Sequence, residues 1–191
     1  MEKKTIENDN KLFTEKYELR QVRPNEAETA AKIEAICFPP SEACTLPIMK
    51  ERVALAGDCF LAAIDRKTSK MIGFVNGLCS DELTLRDELF TDTNLHDPNG
   101  SNVMICSVSV LPEYRKQGIA REMMREFLCR QQAKGRKQAI LTCVPDKVKM
   151  YEKFGFTDRG ESESTWGGEK WHEMWCTLNF DKCRESGKYE E

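Results

Sequence analysis

The most informative segment of the sequence is Val108-Ser109-Val110-Leu111-Pro112-Glu113-Tyr114-Arg115-Lys116-Gln117-Gly118-Ile119-Ala120. The alternating valines before Leu111 predict the end of a strand, and apolar residues at helical spacing after Gly118 predict a helix as far as Gly135. The first backbone N–H groups of a helix have no intrahelical partner, and the helix dipole makes their surroundings positive. Arg115 and Lys116 add two cations, so this junction predicts a binding site for a phosphate group.

Periodicity on both sides of this junction predicts the α/β class. Apolar runs and alternation indicate strands at residues 17–22, 59–65, 71–78, 103–110, 139–144, 156–159 and 173–178. Helical spacing and end signals indicate helices at 25–37, after Thr45, at 118–135 and at 145–155. Residues 81–101 form a polar insertion with the spacing of one helical stretch. We expect a central, mostly antiparallel sheet of about six or seven strands, about four helices and at least one β-α-β crossover.

Length and charge limit the organisation of the chain and its partners. A chain of 191 residues with 40% hydrophobic content is long enough for one well-buried core. We therefore expect a single domain at residues 15–181 between flexible tails at 1–14 and 182–191. The net charge of -3 arises from mixed charges without a basic block, which argues against nucleic acid as a partner.

The cysteines and the N-terminus indicate the compartment. Nine cysteines are present, but no two have C-x-x-C spacing, and the sequence predicts no bound metal. Met1-Glu2-Lys3-Lys4 does not begin a signal peptide, and no apolar run is long enough to cross a membrane. We therefore expect a reduced, cytoplasmic protein without a membrane partner, whose cysteines serve mainly as small apolar side chains.

Three motifs carry a resemblance to a known family. The order R-x-x-G-x-A at Arg115–Ala120, directly after V-x-V-x-P, resembles the acyl-CoA signature of the GNAT superfamily of N-acetyltransferases. The string Tyr151-Glu152-Lys153-Phe154-Gly155-Phe156 resembles the second motif of that superfamily. Residues 37–46, CFPPSEACTL, are similar to arylalkylamine (serotonin) N-acetyltransferases and their bacterial relatives. The likeness spans roughly residues 17–179 and implies a GNAT-like fold.

The resemblance implies an enzyme that transfers acetyl from acetyl-CoA, as co-substrate, directly to a primary amine. The acceptor would be a small molecule, for example an arylalkylamine, and the enzyme a monomer or homodimer. Two alternatives stay open: acetylation of a protein or peptide amine, and a catalytically weak acyl-CoA-binding module. The implied cofactor-binding residues are Val108, Ser109, Val110, Arg115, Lys116, Gln117, Gly118, Ile119 and Ala120.

Catalytic groups are implied in the same way. Tyr151 would give a proton to the leaving thiolate, because a phenol pKa of about 10 lies above the roughly 8.5 of a thiol. The alternative is a core tyrosine whose hydroxyl lies at the surface. Vertebrate serotonin acetyltransferases have an H-x-H pair on the strand before the phosphate loop, where this chain has Met104 and Cys106. Cys106 is a candidate relay or a plain buried thiol, and His172 is a candidate base or substrate contact.

The acceptor side is implied by aromatic and loop residues. Trp166 and Trp171 would wall a pocket for an aromatic or cationic amine, or would simply close a hairpin. Phe38 and Pro39 would form a substrate-side loop, or only end a helix. Met104 is expected to contact substrate from the strand. We expect the other histidine, His96, to be a solvated loop residue.

Overall fold

The structure is a computed structural model that describes residues 12–179. Its strands are β1 (Tyr17–Gln21), β2 (Phe60–Asp65), β3 (Lys70–Ser80), β4 (Asn102–Val110), β5 (Gln138–Cys143), β6 (Thr157–Glu161) and β7 (His172–Thr177). They form one sheet in the order β1-β2-β3-β4-β5-β7-β6. Among the strand pairs of the described residues only β4 and β5 run parallel, so the mostly antiparallel α/β sheet is confirmed.

The helices with complete bounds are α1 (Ala27–Cys37), α2 (Leu46–Leu55), α3 (Ile119–Ala133) and α4 (Val148–Glu152). Residues 12–16 are also helical, within the segment expected as a tail. The rest of that tail and the whole of 182–191 lie outside the described residues. The helical stretch expected in the insertion is replaced by two short 3-10 turns, Asp87–Phe90 and Thr93–Leu95. The Asp92 side chain accepts the backbone N–H of Asn94 and begins the second turn separately.

Helices cover both faces of the sheet. The predicted stripe of α3 is buried against one face, at Ile119, Met123, Met124, Phe127 and Leu128. α1 and α2 cover the opposite face. α1 ends at Cys37 because Pro39 disfavours helical backbone at Phe38, whose φ of -124° and ψ of 151° are extended. The turn places Phe38 beside the end of β4.

β4 and β5 pair only over part of their length. Their parallel pairing joins Asn102–Ile105 to Gln138–Leu141, whereas β4 continues to Val110. On its other edge β4 carries a bulge, because Ser107 pairs with Asn76 and Ile105 with Gly77, which leaves Cys106 as the extra residue. A Cβ on Gly77 would lie 2.3 Å from the Met104 carbonyl oxygen, so this close approach requires glycine. The two strands therefore diverge just after the bulge and open a cleft.

The cysteines are more varied than the sequence indicated. Seven are free thiols in the described part of the chain, and most of those are buried. Cys129 of α3 is disulfide-bonded, so the expectation of a fully reduced chain is wrong at this residue. Within residues 12–179 we find no helix with the length and apolar character needed to span a membrane.

Candidate active site

A cavity of about 710 Å³ fills the gap between the diverging ends of β4 and β5. One end is bounded by the loop before α3 and the other by loops on the α1 side of the sheet. Most of the sequence-predicted site residues line it. These are Phe38, Cys106, Val108, Val110, Arg115, Lys116, Gly118, Ile119, Ala120, Tyr151, Trp166 and Trp171.

The loop before α3 has the geometry of an anion site. Gly118 is the N-cap of α3, with φ of 81°, and Lys116 also has a positive φ of 62°. Left-handed residues in a turn can direct backbone N–H groups into a concavity that suits an anion. The first N–H groups of α3 add to it, because they lack intrahelical acceptors. The small side chain of Ala120 leaves space beside the start of this helix.

Four cations surround this end of the cavity. Arg115 donates from Nε to the carbonyl of Val110 over 3.0 Å, which holds its guanidinium against the strand end. Lys116 extends from the loop, and Arg121 and Lys147 also line the cavity. Sequence reasoning missed the last two. Arg121 lies in the first turn of α3 and carried a usable signal, whereas Lys147 comes from the separate segment before α4.

The free edge of β4 offers backbone donors to the cavity. The N–H of Leu111 donates to the carbonyl of Ile72 on β3. Because successive residues of a strand point their N–H groups to opposite edges, those of Val108 and Val110 face the side where β5 has diverged. These donors could bind a carbonyl oxygen placed in the cleft.

Tyr151 stands on α4 in the wall of the cavity. Its ring contacts Phe154 and Phe156 edge-on, at centroid distances of 5.9 and 5.8 Å. Burial raises the pKa of its hydroxyl above the ordinary value, and nearby Cys143 raises it further. Tyr151 is therefore protonated at neutral pH and able to donate.

Met104 and Cys106, which stand on β4 where the related enzymes have histidines, differ in their surroundings. Met104 is fully buried against Leu85 and Leu89 and does not line the cavity, which corrects its expected substrate contact. Cys106 does line it, at the bulge. Burial raises the pKa of the Cys106 thiol, so the group stays protonated at neutral pH and is a poor base.

Aromatic side chains close the end of the cavity opposite the loop before α3. The rings of Phe90 and Trp166 stack with centroids 4.9 Å apart, and Trp166 Nε1 donates to the carbonyl of Glu42 over 3.2 Å. Trp171 Nε1 donates to the carbonyl of Trp166 over 2.8 Å. The two tryptophans thus both line the cavity and contact each other through this bond. Phe90, from the insertion, had no sequence signal.

Two acids line the same end. Glu34 of α1 is only 2% exposed, whereas Glu42 is half-buried. Burial raises the pKa of the Glu34 carboxyl, and the Arg52 guanidinium offsets part of that rise. Neither acid was among the site residues predicted from sequence. Glu34 lies in α1, where a lone glutamate usually faces solvent, and Glu42 lies in the turn that follows.

Four other predicted residues have side chains outside the cavity. Pro39 only ends α1, and Ser109 points to the α1 face, where its hydroxyl donates to Glu34 Oε2 over 3.1 Å. The Gln117 side chain accepts the Tyr17 hydroxyl at 2.7 Å. His172 Nδ1 lies 2.9 and 3.0 Å from the two carboxylate oxygens of Asp158, so this histidine is hydrogen-bonded between β6 and β7. Its expected role as base is not supported.

Cys59, Cys79 and His96 come together away from the cavity. Their potential ligand atoms lie within 4.8 Å of one another, and the two Sγ atoms are 3.2 Å apart. However, His96 Nδ1 accepts the backbone N–H of Cys79 over 3.0 Å, so its lone pair is already used by a backbone donor at the edge of β3. His96 is therefore part of the structure rather than a solvated loop residue.

The splayed sheet, the anion loop and the enclosed aromatic end define an acyl-CoA transferase. Comparison with known families agrees: the family described as Acetyltransferase (GNAT) domain matches residues 56–158, more than half of the chain. The chain belongs to the GNAT acetyltransferase family.

Individual relatives are similar in sequence or fold. The serotonin N-acetyltransferase of Mesocricetus auratus is 27% identical over 165 residues, which cover 84% of this chain and 77% of that protein. A GNAT family N-acetyltransferase from Escherichia coli, in complex with CoA, superposes with TM-score 0.60 at 21% identity, covering 90% and 86% of the two chains. A phosphinothricin acetyltransferase from Sinorhizobium meliloti, in complex with AcCoA, gives TM-score 0.63 at 17% identity, covering 86% and 89%.

Proposed function

We propose that this protein transfers the acetyl group of acetyl-CoA directly to the primary amine of a small molecule, with arylalkylamines as the best-fitting class. The observation that carries the proposal is one continuous cavity with a cationic anion loop at one end and an aromatic, acidic pocket at the other. Phosphates suit the first end and a cationic aromatic amine the second. The similarity to a serotonin N-acetyltransferase supports the acceptor class.

A small acceptor is favoured by the roof over the pocket. Three segments meet there: the α1–α2 loop, the insertion and the β6–β7 loop. The Phe90–Trp166 stack and the Trp166–Glu42 hydrogen bond join them. Asp87 adds hydrogen bonds to Ser164 Oγ at 2.5 Å and Thr165 N at 3.1 Å. A peptide would need an open groove at this position, so the closed roof argues against it.

The chemistry follows from the groups along the cleft. The pyrophosphate of acetyl-CoA would bind the loop at Arg115–Ala120, and the thioester carbonyl would accept N–H groups of β4 at Val108 and Val110. These dipoles stabilise the oxyanion that forms when the amine attacks. Tyr151 would then donate to the departing thiolate, because its phenol holds a proton that the thiolate needs.

A thiol-release assay with a panel of amines tests the proposal. We expect acetyl-CoA to release thiol with phenethylamine or tryptamine and much less with peptides. Tyr151→Phe should lower kcat by about 100-fold and leave acetyl-CoA affinity unchanged in calorimetry. An unchanged kcat would refute the role of Tyr151, and preferred turnover of peptides would refute the small acceptor.

A further inference from the structure

Glu34 is the most deeply buried acid of the cavity and stands on the acceptor side. It is 2% exposed, projects from α1 and lines the same space as Ser107 and Val108 of β4. A carboxylate is costly to bury without an opposite charge in contact. No ion pair joins Glu34 to a cation within residues 12–179 by the usual contact distance, so its placement calls for another explanation.

We propose that Glu34 is the general base that removes a proton from the acceptor ammonium group, in place of the absent histidine pair. The inference rests on the proposed acetyl transfer and names the catalytic group that this transfer lacks. An alkylammonium group of pKa about 10.4 must lose a proton before its nitrogen can attack a thioester.

Hydrogen bonds orient Glu34 without exhausting it. Ser109 Oγ donates to Oε2 over 3.1 Å, and the backbone N–H of Cys44 approaches Oε1 at 3.4 Å. The Ser107 side chain also hydrogen-bonds to this carboxyl group. An ionised carboxylate has about four acceptor positions on its two oxygens. Capacity therefore remains for an ammonium group, or for a water molecule that bridges to it.

A buried cation supports the charge of Glu34 without pairing with it. Arg52 is 2% exposed and donates to Asn76 Oδ1 over 3.1 Å and to the carbonyl of Phe90 over 2.9 Å. Asn76 Nδ2 in turn donates to Ser107 Oγ over 2.9 Å, at the wall of the cavity. Because burial raises the pKa of Glu34 and Arg52 only partly offsets it, Glu34 is a stronger base than an exposed glutamate.

The other candidate groups are not available as the base. The Cys106 thiol is protonated at neutral pH and Tyr151 is needed as an acid. His172 is held by Asp158 outside the cavity. Glu42 lines the same end but is only half-buried, which leaves Glu34 as the fully buried acid on the amine side.

The proton balance closes with these groups. Glu34 takes one proton from the ammonium group and later releases it to solvent. The amine nitrogen then forms a bond to the acetyl carbon while the C–S bond breaks. The nitrogen loses a second proton, which replaces the one that Tyr151 gives to the CoA thiolate. The products are the N-acetyl amine, CoA thiol and one released proton.

Glu34→Gln tests the proposal with two acceptors of different basicity. With phenethylamine we expect kcat/KM to fall by about 100-fold or more and its acid limb to disappear from the pH profile. With a fluorinated phenethylamine, whose amine is largely neutral at pH 7, the fall should be several-fold smaller, because no proton has to be removed before the nitrogen attacks. Glu28→Gln is the matched control on α1, since Glu28 is exposed and only pairs with Lys50 at 3.7 Å.

Two outcomes overturn the proposal. An unchanged pH profile in Glu34→Gln does so, and so does an equal loss with both amines, which would indicate a binding or structural role. Thermal melting and acetyl-CoA calorimetry check folding. If Glu34→Gln does not fold, Glu34→Asp provides the test. We expect the acid limb of its pH profile to be displaced, and an unshifted limb would refute the role of Glu34 as general base. If the wild-type protein is inactive with every amine, the proposed acetyl transfer is itself refuted. If the wild type is active and Glu34→Gln has normal activity, only the role of Glu34 as the base is refuted.

Discussion

Gly118→Ala isolates the contribution of the anion loop. Gly118 has φ of 81° at the start of α3, and Gly135 has the same φ just beyond its end. A Cβ would have room at both, since the nearest atom is an Arg121 nitrogen at 3.8 Å for Gly118 and nothing lies within 4 Å for Gly135. Each alanine therefore adds mainly the left-handed backbone penalty, about 1–2 kcal/mol.

The two variants should agree in stability and differ in binding. Urea unfolding should show both to be destabilised by about 1–2 kcal/mol. If the loop at Gly118 relaxes to relieve the strain, binding of acetyl-CoA must restore the strained conformation. The affinity for acetyl-CoA should then fall by about 5- to 30-fold. Gly135→Ala should bind acetyl-CoA as the wild type does. Calorimetry with acetyl-CoA measures the difference.

The comparison has a clear contrary result. If Gly118→Ala is destabilised like Gly135→Ala but binds acetyl-CoA with wild-type affinity, the left-handed N-cap is not required for the phosphates. The anion would then have to bind elsewhere along the cavity. Equal losses of affinity in both variants would instead indicate a general effect of weakening α3.

Two further predictions concern the acceptor pocket and the β3 edge. Trp166→Leu removes the stack on Phe90 and should raise KM for an aromatic amine by about 2- to 10-fold with unchanged acetyl-CoA affinity; an unaltered KM in steady-state assays would exclude Trp166 from the pocket. Burial lowers the pKa of His96, which accepts the Cys79 N–H, so the unfolded chain binds the proton more readily. Stability should therefore be complete above the unfolded pKa of about 6.5 and decline as pH falls through it. His96→Asn should lose this step in urea midpoints measured across the range, and an identical decline in the variant would assign it to other groups.

Local sequence patterns were sufficient to predict much of the fold. The strands and the buried stripe of α3 follow from the alternation and helical spacing of the sequence, because each buries one face. The loop before α3 was equally predictable, since Arg115, Lys116 and Gly118 are close together in the sequence. These features depend on near neighbours in the chain.

The acceptor side depends on contacts that the sequence does not display. Phe90, Trp166 and Glu42 meet across segments that are far apart in the chain. The resemblance to enzymes with an H-x-H pair also made Met104 and Cys106 candidate site residues, but only Cys106, at the bulge, lines the cavity. The isolated Gly77 opposite was the available signal for that bulge.

The most direct test of acetyl transfer is amine-dependent turnover by the purified chain. Acetyl-CoA and phenethylamine are incubated with the protein, while thiol release is followed by absorbance and the amine product by mass spectrometry. We predict one CoA thiol released for each N-acetylphenethylamine formed. The proposal would be contradicted if the protein bound acetyl-CoA but no amine in a broad panel raised thiol release above the rate of hydrolysis.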